Sequence, residues 1–255
     1  MRFASLGSGS EGNALLVRSG QTCLMLDCGF SVKECTRRLA RLGMSPGQLS
    51  GILVTHEHGD HIGGVARLAR GFDVPVWLTH GTLRSQPKAF SGISALHEID
   101  PHGRFSIGDI EIFPFPVPHD AAEPVQFVFG DGARRLGVLT DVGSTTPHIE
   151  AMLSGCDALV LESNHDEAML MNGDYPYSLK QRVGGRYGHL SNRESAAILA
   201  NLITDRLQHL VAAHLSSKNN TPELAIEALS GALGCERNWV EVATQDAGFD
   251  WKEIA

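Results

Sequence analysis

Four side chains able to bind a metal ion fall within seven positions, in the stretch THEHGDH at residues 55–61. They are His56, His58, Asp60 and His61. Neutral imidazoles together with a carboxylate suit zinc, manganese or iron. His56 and His58 can point the same way from an extended segment, whereas Asp60 and His61 lie where a turn can direct them to a second ion. The stretch therefore predicts a metal cluster that can serve two ions, with a polar loop of unligated histidines as the alternative.

The residues on either side of this cluster place it at the carboxyl end of a strand, where sites in α/β sheets lie. The apolar run GILVT precedes it, and GGVARLARGF after it looks helical. Similar apolar runs predict further strands at 14–17, 23–26, 74–78 and 110–115, and in QFVFG, LGVLT, ALVLE and LVAA. Helices are predicted in VKECTRRLARL, ESAAILANLI and TPELAIEALSGAL, and the capping box SNRE predicts a helix start after Leu190. This alternation predicts a layered α/β fold.

Length and composition limit the class of protein. The 255 residues, 42% of them hydrophobic, suffice for one substantial core, and we expect one domain spanning 1–255. The absence of an export signal or a long apolar run predicts a cytoplasmic protein with no membrane partner. Five cysteines without a C-x-x-C pair argue against a disulfide framework. A net charge of −8 means that a polyanion would need a local basic patch.

Four other strand-end residues complete a known set of motifs. They are Asp27 in LMLDCG, His119 in VPHD, Asp141 in LTDVG and His214 in AAHLS, and each follows an apolar run. With the cluster at 55–61, these motifs resemble in order those of the metallo-β-lactamase superfamily, along the length of the chain. The resemblance implies a four-layer αββα sandwich, in which two mixed sheets lie between outer helices.

The same resemblance implies two divalent metal ions per chain, zinc, manganese or iron, and assigns the ligands. One ion would be held by His56, His58 and His119, the other by Asp60, His61 and His214, and Asp141 would bridge both. Asp27 would lie outside the ligands and accept hydrogen bonds that hold the ligand loop in shape.

Several branches of the superfamily do not match. Diiron oxygen reducers carry a glutamate where this chain has His58, and antibiotic-hydrolysing members are exported. The insertion of RNase J-type nucleases has no room between Asp141 and His214, and the arm of long-form tRNase Z has none between His119 and Asp141. The segment 161–195 and the opening FASLGSGSEGNALLV resemble instead the YycJ/WalJ-like branch, which is associated with exonuclease activity on DNA. YGHLSNRESA and LESNHD also resemble tRNase Z-type phosphodiesterases.

The composition of this segment agrees with a nucleic acid substrate. Residues 175–193 contain no acidic residue, but four cations (Lys180, Arg182, Arg186, Arg193) and all three tyrosines of the chain (Tyr175, Tyr177, Tyr187). Cations can meet phosphates while aromatic rings stack on bases. The alternative is a solvated loop that the tyrosines anchor to the core.

We therefore predict dinuclear-metal-dependent hydrolysis of a phosphodiester, with a DNA exonuclease as the leading assignment and a metal-bridging hydroxide as nucleophile. Asp60 would accept a proton from the nucleophilic water, and His189 would protonate the leaving oxygen. Glu162 would orient His189. The alternative for His189 is a loop-stabilising hydrogen bond.

Further substrate contacts are predicted in two loops. The Gly-rich loop SLGSGSEGN can offer donors to a phosphate, although such a loop is equally typical of a plain turn. The predicted contacts are Ser8, Ser10 and Asn13 from that loop, and His165, Lys180, Arg182, Arg186 and Tyr187 from the later segment. Five histidines match no motif and are taken as surface or structural: His80, His97, His102, His148 and His209.

Three other functions stay open. A small-molecule or cyclic-nucleotide phosphodiesterase would use the same chemistry in a narrower pocket. A glyoxalase-type thioester hydrolase would ignore phosphodiesters, and a metal-stabilised binding protein would turn nothing over. The preference for DNA over RNA rests on the resemblance alone, and a homodimer is one of the oligomeric states that the sequence leaves open.

Overall fold

The computed structural model describes residues 1–255, and it contains two seven-stranded mixed sheets. The first sheet has the order β14-β1-β2-β3-β4-β5-β6. Neighbours from β14 to β3 are antiparallel, and those from β3 to β6 are parallel. The strands are Arg2–Gly7 (β1), Ala14–Ser19 (β2), Thr22–Leu26 (β3), Gly51–Leu53 (β4), Val76–Thr79 (β5), Leu96–Ile99 (β6) and Phe249–Glu253 (β14).

The second sheet has the order β13-β12-β11-β10-β9-β8-β7. Its strands from β13 to β10 are parallel, and those from β10 to β7 are antiparallel. Therefore β8, β10, β11 and β12 all end at the same edge of the sheet. The strands are Phe105–Ile107 (β7), Ile110–Pro116 (β8), Val125–Gly130 (β9), Arg135–Leu139 (β10), Ala158–Glu162 (β11), His209–Ala213 (β12) and Val240–Val242 (β13).

Nine α-helices connect these strands. They are Val32–Arg41 (α1), Gly59–Ile62 (α2), Val65–Phe72 (α3), His80–Ser85 (α4), Pro147–Leu153 (α5), Glu167–Asn172 (α6), Tyr177–Val183 (α7), Asn192–Asn201 (α8) and Pro222–Leu233 (α9). Single 3-10 turns occur at Pro46–Gln48 and Arg237–Trp239. None of the helices combines the length and the apolar character needed to span a membrane.

Three apolar clusters hold the layers together. The largest lies between the sheets and joins Phe3 of β1 to Phe127 and Phe129 of β9, all fully buried. A second packs Leu39 of α1 against the first sheet, and a third packs α8 and α9 against the second sheet. The predicted four-layer αββα sandwich is confirmed.

The local predictions hold where the sequence pattern is strong. The capping box at Ser191 and Glu194 is present at the start of α8, and Thr221 caps α9 ahead of Pro222. All nine predicted strands form. Several of the elements that were not predicted are short, such as α6 and α7, or lie at sheet edges, such as β6 and β7, where exposed residues break the apolar periodicity. The inner strand β1 was not predicted either.

Candidate metal centre

Residues of the candidate centre lie at the carboxyl ends of strands from both sheets. Asp27 follows β3, Asp141 follows β10 and His214 follows β12. These three residues have left-handed backbones, with φ of 59°, 51° and 55°. Asp73, the C-cap of α3, is the one other non-glycine residue with positive φ. Such conformations are uncommon outside glycine, so the chain holds these three residues in sharp turns within two positions of the strand ends.

The first candidate ligand group contains His56, His58 and His119. Nε2 of His56 lies 3.0 Å from Nδ1 of His58, and Nε2 of His119 lies 3.3 Å from that same Nδ1. His56 and His119 are buried, whereas His58 is partly exposed as the N-cap of α2. Three imidazole nitrogens from β4, α2 and the β8 end thus converge on one point.

The second group contains Asp60, His61, Asp141 and His214. Nε2 of His61 lies 3.4 Å from Asp60 Oδ2 and 3.2 Å from Asp141 Oδ2. Nε2 of His214 lies 3.5 Å from Asp60 Oδ2 and 3.5 Å from Asp141 Oδ1. Asp141 therefore presents one oxygen to each of the two histidines.

Hydrogen bonds behind the ligands determine which ring nitrogens face the centre. A proton on His61 Nδ1 is donated to Asp27 Oδ2 at 2.8 Å, which leaves the Nε2 lone pair free. The Thr55 hydroxyl donates to the same Asp27 oxygen at 2.8 Å and can accept from His56 Nδ1 at 2.9 Å. His119 Nδ1 donates to the Gly188 carbonyl at 3.0 Å. Asp27 thus accepts hydrogen bonds from Thr55 and His61 of the ligand loop.

Glu162 performs the corresponding task on the second sheet. Its Oε2 accepts from the backbone N–H groups of Val142 at 3.0 Å and Leu190 at 3.2 Å. Its Oε1 accepts from His189 Nδ1 at 2.8 Å and lies 3.4 Å from His214 Nδ1. These donors use both oxygens of this fully buried carboxylate, so Glu162 orients two imidazoles although it is close enough to the centre to be counted among possible ligands.

The electrostatics of the centre reflect this mixture of imidazoles and carboxylates. Burial alone would lower the pKa of His214, but Asp141, Asp60 and Glu162 raise it to about 10. Burial would likewise raise the pKa of Asp141, whereas His214 and His61 hold it well below its usual range. In the first group burial dominates, and it lowers the pKa of His56, with the neighbouring imidazole of His61 adding to this effect.

Two buried atoms at the centre of the cluster lack any hydrogen bond: Asp141 Oδ2 and His214 Nε2. A buried polar atom without a partner lowers the free energy of unfolding by about 1–3 kcal/mol. Two such atoms in one cluster indicate a position suited to a cation. The donors are imidazole nitrogens and carboxylate oxygens, the set that divalent zinc, manganese and iron accept. The residues present therefore fit a divalent metal centre.

The three predicted substrate contacts of the Gly-rich loop lie in different environments. Ser10 is exposed and lines an open pocket of about 370 Å³ over the candidate ligands. Ser8 is buried and its hydroxyl accepts from the backbone N–H of His214 at 2.9 Å. Asn13 is also buried, with Nδ2 3.2 Å from His61 Nε2 and 3.4 Å from Asp60 Oδ2. Ser8 and Asn13 thus support the candidate ligands, and only Ser10 faces the pocket.

The later segment is divided in the same way. Arg182 lines the pocket and donates to Asp120 Oδ2 at 2.6 Å. Lys180 donates to the Met171 carbonyl at 2.7 Å, at the end of α6, and is not part of the pocket wall. His165 is 2% exposed and lies outside that wall, and its Nδ1 has no hydrogen-bond partner.

The four cations predicted to form a basic patch are not equivalent. Arg182 pairs with Asp120, and Arg193 pairs with Glu167 at 2.7 Å. Arg186 forms no side-chain hydrogen bond or ion pair, and it lies with Tyr187 on the far side of the segment from the metal pocket. Among the tyrosines, Tyr177 and Tyr187 are 67% and 61% exposed, so they do not anchor the segment to the core.

Two residues of the centre were missed by the sequence reasoning. The hydroxyl group of Thr55 lies between Asp27 and His56 and is hydrogen-bonded to both. Asp120 lies 3.8 Å from His58 Nε2 and 3.5 Å from His119 Nε2. Each is adjacent in sequence to a candidate ligand, which is the signal that could have drawn attention to them. A single threonine or aspartate in a turn carries too little information to be singled out otherwise.

Residues 22–214 match the family model described as a beta-lactamase superfamily domain. The chain is 38% identical to the exodeoxyribonuclease YycJ of Bacillus anthracis over 239 residues, which cover 91% of this chain and 89% of that protein. The chain belongs to the YycJ/WalJ branch of the beta-lactamase superfamily. A second relative, the exodeoxyribonuclease WalJ of Streptococcus pneumoniae, is 33% identical over 88% of this chain and 85% of its own length. The predicted resemblance is confirmed, and membership makes the chain a metal-dependent hydrolase.

Solved structures show the same fold at low sequence identity. The metallo-beta-lactamase fold protein YhfI from Bacillus subtilis is 16% identical, with a TM-score of 0.78 over 98% of both chains. The short form of human tRNase Z is 17% identical, with a TM-score of 0.69 over the whole of both chains. This branch member therefore shares its architecture with tRNase Z along its full length.

Proposed function

We propose that the chain is a dinuclear-metal-dependent DNA exonuclease. The observation that supports this most strongly is the pair of ligand groups that share a wall of one open pocket, with Asp141 and Asp60 between histidines from both sheets. The name exodeoxyribonuclease borne by the two relatives supports DNA as the substrate. Because Asp27 and His214 come from opposite ends of the chain, we propose that residues 1–255 act as one domain.

In this proposal one ion would be held by His56, His58 and His119, and the other by Asp60, His61 and His214, and Asp141 would be shared by both. When bound, divalent ions lower the pKa of a water molecule. Their positive charge also stabilises the attacking and leaving oxygens of the phosphodiester. Zinc, manganese and iron all suit this donor set.

Asp60 is the residue we assign to the attacking water. Burial would raise the pKa of its carboxyl group, but His214 and His61 lower it overall, so the group stays ionised. Its Oδ2 faces those two imidazoles and the Asn13 amide, whereas Oδ1 forms no hydrogen bond. The residue lines the pocket, so its free oxygen can orient a water molecule and accept its proton.

His189 is the residue we assign to the leaving oxygen. Its Nδ1 donates to Glu162, which leaves Nε2 for the pocket that the ring lines. Burial would lower the pKa of His189, but the carboxylates of Glu162 and Asp141 raise it overall, so the protonated ring is favoured. A proton on Nε2 can then be transferred to the departing alkoxide.

Two pocket residues outside the candidate ligand groups supply the polymer contacts in this proposal. Arg182 from α7 and Ser10 from the Gly-rich loop both face the pocket. A guanidinium and a hydroxyl group are suitable donors to phosphate oxygens on either side of the scissile bond. Arg182 is held over the pocket by Asp120, which presets its position at the entrance.

The test uses protein reconstituted separately with manganese and with zinc, incubated with end-labelled single-stranded DNA, double-stranded DNA and RNA. His61→Ala is the control, because it removes one candidate ligand. Stepwise, metal-dependent shortening of DNA that is lost in the control supports the proposal. Turnover of a small chromogenic diester with no digestion of any polymer would instead identify a small-molecule or cyclic-nucleotide phosphodiesterase. Inactivity on every phosphodiester would direct attention to thioester hydrolysis.

A further inference from the structure

A second concavity lies beside the metal pocket, and none of the motifs accounts for it. This lateral groove has a volume of about 450 Å³. Its polar and aromatic lining residues come from the loop before β7, from the loop before α5 and the first turn of that helix, and from the segment before α8. They are His102, Ser144, Thr146, His148, Arg186 and Tyr187.

The lateral groove and the metal pocket are both lined by residues of Pro116–Asp120 and of one further stretch of backbone, Arg186–Gly188. That stretch is held by Ser144 Oγ, which donates to the Arg186 carbonyl at 3.1 Å, and by the Asp120 N–H, which donates to the Tyr187 carbonyl at 3.0 Å. The groove residue Tyr187 is only two positions from His189, a separation of at most roughly 7 Å along an extended backbone. A substrate in the metal pocket therefore needs little length to reach the groove.

The charge of the lateral groove is unlike that of the protein as a whole. No acidic residue lines it, although the chain has a net charge of −8. Arg186 is exposed and its guanidinium has no ion-pair or hydrogen-bond partner, in contrast to Arg182 and Arg193 of the same segment. The hydroxyl groups of Ser144 and Thr146 add polar atoms to the same wall. This combination is suited to a phosphate group.

The groove also presents flat rings to solvent. Tyr187 is 61% exposed. The rings of His102 and His148 lie 6.4 Å apart between centroids, and His148 meets the edge of the buried Phe115 at 6.4 Å. Exposed aromatic rings beside a free guanidinium are the features with which proteins bind unpaired bases and their phosphates. These two histidines, taken as surface residues from sequence, thus share one wall.

We propose that the lateral groove binds an unpaired nucleotide of the single DNA strand under digestion, next to the scissile phosphate. Its base stacks on Tyr187 and His148, and Arg186 contacts its phosphate. This assignment rests on the proposed exonuclease function and extends it, because it predicts a requirement for a single-stranded segment at the substrate end. A released mononucleotide has the same chemistry, and the experiment separates it from the strand.

The experiment compares metal-loaded wild-type protein with Tyr187→Ala, His148→Ala and Arg186→Ala. Fluorescence anisotropy of a labelled single-stranded oligodeoxynucleotide measures binding, in parallel with KM and kcat for its digestion. We expect Kd and KM to rise roughly 5- to 150-fold in each ring variant, the range that stacking of one base supports, with kcat changed less than threefold. Tyr187→Phe keeps the ring and should restore most of the loss. His209→Ala is the matched control, because His209 lies at the opposite end of β12 from His214.

Several results would overturn this assignment. Unchanged Kd and KM in all groove variants, with wild-type protein still digesting DNA, would reject the groove and leave the exonuclease standing. A fall in kcat that parallels a loss of bound metal would show that Tyr187 only supports the backbone wall. Displacement of the labelled strand by thymidine monophosphate at equal concentration would assign the groove to the product. Wild-type protein that neither binds nor digests DNA would reject both proposals.

Discussion

The strand-end residues and the segment from the end of β11 to the first turn of α8 meet at the same pocket, and they are built differently. On the strand side, Asp27 and Glu162 are buried and accept hydrogen bonds from behind the candidate ligands. On the segment side, α6 and α7 have six and seven residues, and Arg182 and Arg193 are exposed in surface ion pairs. The first group is tied to the sheets by buried hydrogen bonds, whereas the ion pairs of the segment are exposed to solvent.

This difference agrees with the roles proposed for the two groups, which are metal binding for the strand-end residues and substrate contact for the segment. Metal ligands must hold fixed positions, and the placement of the candidate ligands at or just after strand ends ties them to two packed sheets. Exposed ion pairs contribute roughly 0–1 kcal/mol, so the side chains of Arg182 and Arg193 can be repositioned at little cost. We therefore expect substitutions on the strand side to change metal content and rate, and those on the segment side to change substrate affinity.

The largest effect should come from the strand side. His61→Ala removes the imidazole that lies nearest to Asp141 in the second group. We expect loss of bound metal and a fall in DNA digestion of roughly a thousandfold or more, because the lowered pKa of the attacking water depends on the ions. Metal analysis of the purified variant and a rate assay check this. Full activity with full metal content would contradict the ligand assignment.

His189 lines the pocket and should affect only the rate. We expect His189→Ala to keep its metal and to lose at least about a hundredfold in diesterase rate, because the leaving oxygen then lacks a proton donor. His165→Ala is the matched control, since that histidine is buried outside the pocket wall. Metal content that falls in step with activity would refute the proton-donor role.

Asp27 tests the hydrogen bonds behind the ligands. Asp27→Asn keeps a residue that tolerates the left-handed backbone but replaces one of the oxygens that accept from Thr55 and His61. We expect metal affinity to fall about 10–100-fold, measured by competition with a chelator. Asp73→Asn, another left-handed aspartate, should leave metal affinity unchanged. Equal affinity in the two variants would mean that Asp27 does not position the ligands.

Glu162 should influence how the rate depends on pH, through the pKa of His189. Its carboxylate raises the pKa of His189, whereas burial acts in the opposite direction. A general acid is active below its pKa, so the rate should decline as pH rises through the pKa of His189. In Glu162→Gln the effect of burial remains, and the alkaline limb of the pH–rate profile should move to lower pH. If the alkaline limb stays at the same pH in this variant, the titration of His189 does not cause it.

The smallest effect is expected on the segment side. Arg182→Ala removes one exposed cation at the pocket entrance. We expect KM for DNA to rise by a few-fold, and the slope of log K against log salt to become shallower by about one, as for a single phosphate contact. Arg193→Ala is the control, because Arg193 is likewise exposed and ion-paired but does not line the pocket. The same shift in both variants would point to a general charge effect.

Much of this protein follows from its sequence because its main signals are local. Apolar runs of strand length and a capping box at Ser191 each depend on a few neighbouring residues, and those predicted elements form. The metal motifs are also short, so His56, His58, Asp60 and His61 were singled out from seven consecutive positions. Short α6 and α7 were missed because too few residues carry a helical period there.

The tertiary structure decided what each polar residue does. Ser8, Ser10 and Asn13 share one loop, but only Ser10 faces the pocket, because burial and partners depend on the other sheet. His102 and His148 lie 46 positions apart by their numbering, and only packing brings them into one groove. Local sequence determines which groups a strand end can offer. Which of them meet depends on how two sheets pack, since hydrogen-bond partners and burial arise from residues distant in the chain.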